Sequence, residues 1–469
     1  MSKSQKNEAL ILVLALLITG GVLGGLYLLK DQIFPTPDTQ PTATPSPTHS
    51  SITDNPPMSQ GGKILFPQLT SDAKQAGVNA YANQDYQLAV EQFEAALQAK
   101  RNDPETRTYL NNAEIGNQKS YQIAVAVPAS SVSTTALEIL RGVAQAQTEI
   151  NQAGGINGVP LKVVIADDQN SPELAKNVAE TLSKNRDILG VIGHFSSGVS
   201  LAASQVYQQN QLVMISPTST STKLSNAGDF IFRTVPSDRF IADKLTQYFI
   251  QDLGLSRAAI VYNEQSEYSR SLKEELTTAI YGDGGEVVAT FDISSGNFDP
   301  FKAYDTLIEQ QAEAIILVPD SETVKEALKM ARVNDQNLPI LAGDSVYKPD
   351  TLKEGEDVVG MVLAVPWHIQ NNRPSEFVQT ADQLWGGDVN WRSAMAYDAT
   401  QALIAAITTS PSPRSSEVAQ VLSRPGFSTS GASGTVRFLP SGDRNQAAEL
   451  VTIKQGTRSG FGYDFVLLP

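Results

Sequence analysis

From Tyr121 onward, short apolar runs alternate with stretches of helical periodicity, and this alternation limits the fold more than any other feature of the chain. Ile123–Val127, Leu161–Ala166, Ile188–Ile192 and Leu212–Ile215 read as strands, separated by helical stretches at Thr134–Gln152, after Ser171-Pro172 and at Val199–Gln209. The pattern restarts with a helix at Ile241–Leu253. Strands at Ala258–Tyr262, Glu286–Phe291, Ala314–Val318 and Ile340-Leu341 follow, with helices at Leu272–Ile280, Phe301–Gln310 and Thr323–Val333 between them. Parallel strands need long crossovers, usually helices, and a strand buried on both faces is continuously apolar. Two successive blocks of this kind predict two α/β lobes, each a parallel sheet flanked by helices.

Open α/β sheets bind ligands beyond the carboxyl ends of their strands. Four such ends are rich in polar groups: Gly193–Gly198, Ser216–Thr222, Asn263–Tyr268 and Ala342–Ser345. The first two present hydroxyls beside a helix N-terminus, which favours an anion. The other two bring carboxylates and Tyr268, which favour a cation. A cleft supplied from both ends suits a zwitterion such as an amino acid. The alternative for any one loop is that its Ser and Thr merely cap a helix.

The chain before Tyr121 is of a different kind. The uncharged run Ala9–Leu29 would be about 31 Å long as a helix, enough to cross a bilayer core. Lys3 and Lys6 precede it, which predicts a cytoplasmic N-terminus and an exported remainder. The run is longer than a signal-peptide core and ends without an Ala-x-Ala-like site, so an uncleaved anchor is expected. Residues 1–34 are thus read as tail and anchor, and 35–62, with seven prolines from Pro35 to Pro57 among Thr, Ser and Asp, as an extended, unpacked spacer. Residues 63–120 read as a small helical segment. Gly77, Ala89, Phe93 and Ala96 have the spacing of one tetratricopeptide repeat, with a further helix starting at Asn102-Asp103-Pro104. It is either a helical hairpin packed on its neighbour or a partner-binding module.

Composition removes several functions. Lys plus Arg is 35 and Asp plus Glu is 50, for a net charge of -15, and there is no basic block, so nucleic acid is not an expected partner. With no cysteine and three scattered histidines, no metal or other cofactor is expected. No catalytic residues are assigned: His194 beside Ser196-Ser197 is not the Gly-x-Ser-x-Gly pattern and is badly placed as a base. Gly154–Gly158 follows a helix and precedes a strand, the reverse of a dinucleotide cradle. Asp167-Asp168 reads as a solvated strand end, because adjacent carboxylates on a strand point apart.

Residues 121–469 resemble the leucine/isoleucine/valine-binding proteins, type I periplasmic solute-binding proteins of amino-acid ABC transporters. The resemblance rests on Glu149–Gly158, Val164–Asp168, Gly193-His194 with Ser196-Ser197, Ile215-Ser216-Pro217, Ala396–Ala399, Gly434–Phe438 and Gly442-Asp443. It implies two Rossmann-like lobes joined by a three-stranded hinge, about 121–235 with 365–448 and about 236–364 with 449–469. A ligand carboxylate is expected at Ser196, Ser197, Ser219 and Thr220, with Gly198 replacing one usual serine. Asp344 would take the ammonium and Tyr268 would cover the ligand. Thr135 and Asp320 would stand where branched-chain binders carry tyrosines, so a polar amino acid or amide fits at least as well. The implied role is extracytoplasmic capture of a small ligand for an ABC permease in the membrane. A membrane-anchored sensor built on the same lobes is the second reading.

Overall fold

The computed structural model describes residues 56–410 and 413–468. The expected anchor over Ala9–Leu29 and the spacer up to residue 55 lie outside the described residues. Among the described residues, no helix is long and apolar enough to cross a membrane.

The first sheet contains β1 (Met58–Ser59), β2 (Tyr121–Val127), β3 (Leu161–Asp167), β4 (Ile188–Ile192), β5 (Met214–Ser216) and β6 (Ile231–Arg233), in the order β1-β3-β2-β4-β5-β6. The second sheet contains β7 (Arg257–Tyr262), β8 (Glu286–Asp292), β9 (Ala314–Val318), β10 (Ile340–Ala342) and β11 (Val362–Val365). After a two-stranded hairpin, β12 (Thr429–Gly431) and β13 (Gly434–Val436), the chain adds β14 (Glu449–Gln455) and β15 (Tyr463–Leu467), giving β15-β14-β11-β10-β9-β7-β8. Every residue of β3, β4 and β9 is buried, as strands covered on both faces must be, whereas β8 at a sheet edge is not.

Both sheets are mixed rather than purely parallel. β1 runs antiparallel to β3, and β14 runs antiparallel to both β11 and β15. The first of these corrects the expected spacer, whose last residues are packed. Pro57 O accepts Asp167 N at 2.9 Å, and Met58 and Ser59 pair with Ala166 and Ile165. Proline lacks an N–H and is tolerated at the start of an edge strand, so Pro56-Pro57 does not prevent this.

The chain passes between the sheets three times: after β6, between β11 and the helix Trp391–Thr408, and before β14. That helix returns to the first lobe and crosses Ser133–Gln152 so closely that a Cβ on Gly142 would sit 2.1 Å from Ser393 O. Two family motifs are spent on buried ion pairs here. Asp398 meets Arg444 at 2.5 Å, and Arg233 meets Asp443 at 2.6 Å.

Three helices, Asp72–Ala82, Tyr86–Ala99 and Pro104–Ile115, precede β2, each N-capped by a Ser or Asp side chain. Gly77 lets the first two meet: a Cβ there would lie 2.6 Å from the Phe93 ring. Inside, Lys74 Nζ is 2.7 Å from both Asp103 and Glu105, all three buried. The third helix is fastened to the first lobe, with Asn111 Nδ2 donating to Thr148 Oγ1 at 2.9 Å and Gln147 Nε2 donating to Asn112 Oδ1 at 2.8 Å. Phe66, Phe93 and Tyr109 share one apolar core with Ile123, Val125 and Ile139.

Candidate functional site

The carboxyl ends of the two sheets enclose a cavity of about 220 Å³. The first lobe lines it with Asn170, Phe195–Val199 and Thr218, the second with Gln265–Tyr268, Asp320–Glu322, Asp344 and Ser345. Trp391 and Arg392, at the start of the returning helix, complete the wall.

The first-lobe wall is the beginning of the helix Ser197–Asn210, which follows β4. Its N-cap residue, Ser196, makes no capping hydrogen bond and instead donates from Oγ to Asn170 Oδ1 at 2.6 Å. The first N–H groups of this helix therefore keep their capacity for an anion. Ser197 is 1% exposed, and its Oγ accepts from Ser221 N at 3.2 Å. The neighbouring hydroxyl loop is held from behind. Arg233 Nη1 donates to Thr220 O at 2.8 Å and Ser221 O at 2.7 Å, and Thr218 Oγ1 donates to Phe195 O at 2.7 Å.

Below this wall lies a buried polar chain. His194 Nδ1 is 2.6 Å from Asp168 Oδ2, and Nε2 is 3.1 Å from Tyr207 Oη. Asp167 and Asp168 are buried, which corrects the expected solvated strand end. Their carboxylates accept the N–H groups of Gln169 and Asn170 in the turn after β3 and so shape the edge that carries Asn170.

In the second lobe, Tyr268 Oη donates to Asp344 Oδ1 at 2.5 Å. Gly343 makes this contact possible: a Cβ there would lie 2.6 Å from the Tyr268 hydroxyl and 2.7 Å from Leu272 Cδ2. Burial raises the Asp344 carboxyl above its ordinary value, against the pull of the Tyr268 hydrogen bond and the Arg392 charge. Burial, with Asp344 and Asp238 nearby, also pushes the Tyr268 phenol well up, so it stays a donor. Asp238 is fully buried, and burial raises its pKa to about 7 against the opposing pull of the Ser271 and Thr220 hydroxyls.

The remaining acids on the wall are already engaged. Asp320 accepts from Asn263 Nδ2, Glu322 N, Thr323 N and Thr323 Oγ1. Glu267 would be raised by burial, but hydrogen bonds from Lys223, Arg270 and Ser221 hold it below its usual value. Two of these acids also join the lobes: Glu267 accepts Ser221 Oγ and Lys223 Nζ at 3.0 Å, and Glu322 accepts Asn170 Nδ2 at 3.0 Å.

Of the residues expected at the site, Ser196, Ser197, Tyr268, Asp320 and Asp344 line this one cavity. Ser219, Thr220 and Thr135 do not. Ser219 Oγ is 2.7 Å from Ser200 Oγ and donates to Phe195 O, Thr220 is buried with its carbonyl accepting Asp238 N at 2.8 Å, and Thr135 is buried in the first turn of Ser133–Gln152. Asn170 and Arg392 also line the cavity without having been expected there, and Glu267 lies in the expected Asn263–Tyr268 loop without having been singled out. For Arg392 there was a signal: the stretch Trp391–Thr408 holds only one other charged residue, Asp398, so an arginine there is a candidate for burial, and a buried charge needs a partner.

Residues 120–458 match the family described as periplasmic binding protein. A Leu/Ile/Val-binding protein homolog from Brucella abortus is 27% identical over 229 residues, 48% of this chain and 61% of that protein, so the chain spans under two thirds of that relative's length. The Leu/Ile/Val-binding protein of Escherichia coli is 26% identical over 287 residues, 60% of this chain and 76% of its own. An ABC transporter substrate-binding protein from Desulfitobacterium hafniense superimposes with a TM-score of 0.64 at 27% identity, covering 74% of this chain and 100% of that one. A second structure from that organism, in complex with Leu, gives 0.64 at 26% identity over the same shares. With two lobes closing on a polar cavity and a match across most of its length, the chain belongs to the periplasmic binding protein family, which is made of solute-binding proteins and not of enzymes.

Proposed function

We propose that the protein captures an amino acid, or a related small polar ligand, between its lobes and delivers it to an ABC permease. One observation carries this reading: a single small cavity has an uncapped helix N-terminus at Ser197 on one lobe and the buried carboxylate of Asp344 on the other. A carboxylate and an ammonium on one carbon would meet complementary groups from opposite sides, and only the closed arrangement satisfies both. The relatives that bind Leu support an α-amino-acid frame. The polar lining at Ser321, Gln265 and Asp344 supports a side chain other than a branched aliphatic one.

In this reading the domain works outside the cytoplasm, as family members do, tethered by the Ala9–Leu29 run. The tetratricopeptide-like helices would serve as a fixed spacer or docking element on the first lobe. A sensor role is the second reading. It is favoured by the core that this helical segment shares with the first lobe, because an occupied and an empty cleft would then differ in how they present it.

The test is a thermal-shift screen against amino acids, their amides and urea. A ligand present at about 100 times its dissociation constant raises stability by about 2.7 kcal/mol. A screen in which no such compound shifts the melting curve would overturn the reading.

A further inference from the structure

Among the described residues, Arg392 is the one cation on the cavity wall, and its side chain is 2% exposed. Its guanidinium carbon sits over the Trp391 ring, 4.3 Å from the centroid. Its hydrogen bonds are few for a buried guanidinium with five donors. Nη1 reaches Tyr347 O at 3.2 Å and Glu138 Oε2 at 3.4 Å, while Nε is buried with no partner. A desolvated charge held this loosely is costly unless something else completes it.

The other charges on the wall do not complete it. Glu267 is paired with Lys223 and Arg270, Asp320 is consumed by its own loop, and Glu322 is turned to Asn170. Asp344 keeps one oxygen on Tyr268. Three groups are therefore left for a ligand: the helix N-terminus at Ser197, the Asp344 carboxylate, and the Arg392 fork. They call for an anion, a cation and a second anion.

We infer that Arg392 selects ligands with a second acidic group, so that the cavity takes an acidic amino acid of the glutamate or aspartate class. This rests on the amino-acid reading above. The planar guanidinium matches a carboxylate with two parallel N–H bonds, which an ammonium could not do, and the Trp391 face supports it from one side. A neutral aliphatic side chain would give the guanidinium no acceptor on the cavity side, and would bind less well for that reason.

The experiment is calorimetric titration of the wild-type protein and Arg392→Met with L-glutamate, L-aspartate, L-glutamine and L-leucine, beside melting curves without ligand. Wild type should prefer one of the acidic pair over leucine by about tenfold or more. Arg392→Met should weaken the acidic ligand by about 30-fold or more and change leucine by less than about threefold. Arg392→Lys, which keeps the charge and loses the fork, should fall between. Wild type that binds neutral amino acids with no acidic preference would overturn this inference and leave the amino-acid reading intact. If no amino acid binds, the amino-acid reading falls and this inference with it. If Arg392→Met and Arg392→Lys melt lower and lose every ligand equally, Arg392 is a structural tie to Glu138, and the inference is overturned.

Discussion

The Tyr268 hydroxyl stands 2.5 Å from Asp344 Oδ1, and both side chains face the cavity from strand ends of the second lobe. The tyrosine fixes the carboxylate's orientation and leaves its other oxygen for a ligand cation. Asp344→Ala is therefore expected to weaken amino-acid binding by about 30-fold or more, the usual consequence of removing one partner of a buried charge pair. The ligand-free variant should be at least as stable as wild type, because burial disfavours the Asp344 charge. Calorimetric titration beside an apo melting curve separates the two effects. Wild-type affinity in Asp344→Ala would remove the ammonium site from this position.

Gly343 gives an independent way to disturb the same pair. A methyl group there would meet the Tyr268 hydroxyl at 2.6 Å and Leu272 at 2.7 Å. Gly343→Ala should push Tyr268 off Asp344 and cost about 1–3 kcal/mol of stability, typical of overpacking. Ligand affinity should fall as well, whereas Gly282→Ala, with nothing within 4 Å of its Cβ, should change neither. Equal melting temperatures for Gly343→Ala and wild type would show that Tyr268 and Leu272 can shift away from this position at no cost.

The strands were legible because parallel strands buried on both faces leave continuous apolar runs, and β3, β4 and β9 do so. β6 was not, because Ile231–Arg233 is three residues long and ends in a buried arginine. At the site, hydroxyl-rich loops could be found but not oriented. Ser197 and Ser219 are both buried serines beside the same helix, yet Ser219 spends its hydroxyl on Ser200 and Phe195 O while Ser197 faces the cavity. Nothing local distinguishes them, since the choice is made by Arg233 holding the loop from the far side. Arg392 was hidden because it reaches the cavity only through the helix that returns from the second lobe to the first.

The hydrogen bonds that bridge the lobes predict how closure responds to mutation. Glu267 takes Ser221 and Lys223 from the first lobe, and Lys223 is 61% exposed. Exposed pairs contribute about 0–1 kcal/mol, so Glu267→Gln should weaken affinity by no more than about fivefold, through a smaller closed population. Small-angle scattering should show the wild-type radius of gyration shrinking when ligand is added, with Glu267→Gln needing more ligand to reach the same radius. A radius that does not change at saturation would contradict hinge closure.

Asp238 predicts a pH dependence whose sign follows from its surroundings. It is buried at the start of the helix Asp238–Gln247, with Thr220, Ser271 and Arg233 nearby and the like charge of Asp344 adding to the effect of burial. Its pKa rises from 3.8 to about 7, so the folded chain holds this proton more tightly than the unfolded chain does. A group raised in this way contributes its full stability below the unfolded value and loses it as pH climbs through the folded one. Asp238→Asn imitates the protonated acid at every pH. It should melt like wild type near pH 4 and above it at pH 8, by up to about 4 kcal/mol for a shift of about three units. Melting curves of the ligand-free proteins across that range test this. If the two curves run parallel from pH 4 to pH 8, Asp238 carries its charge at no cost, and a partner must be neutralising it.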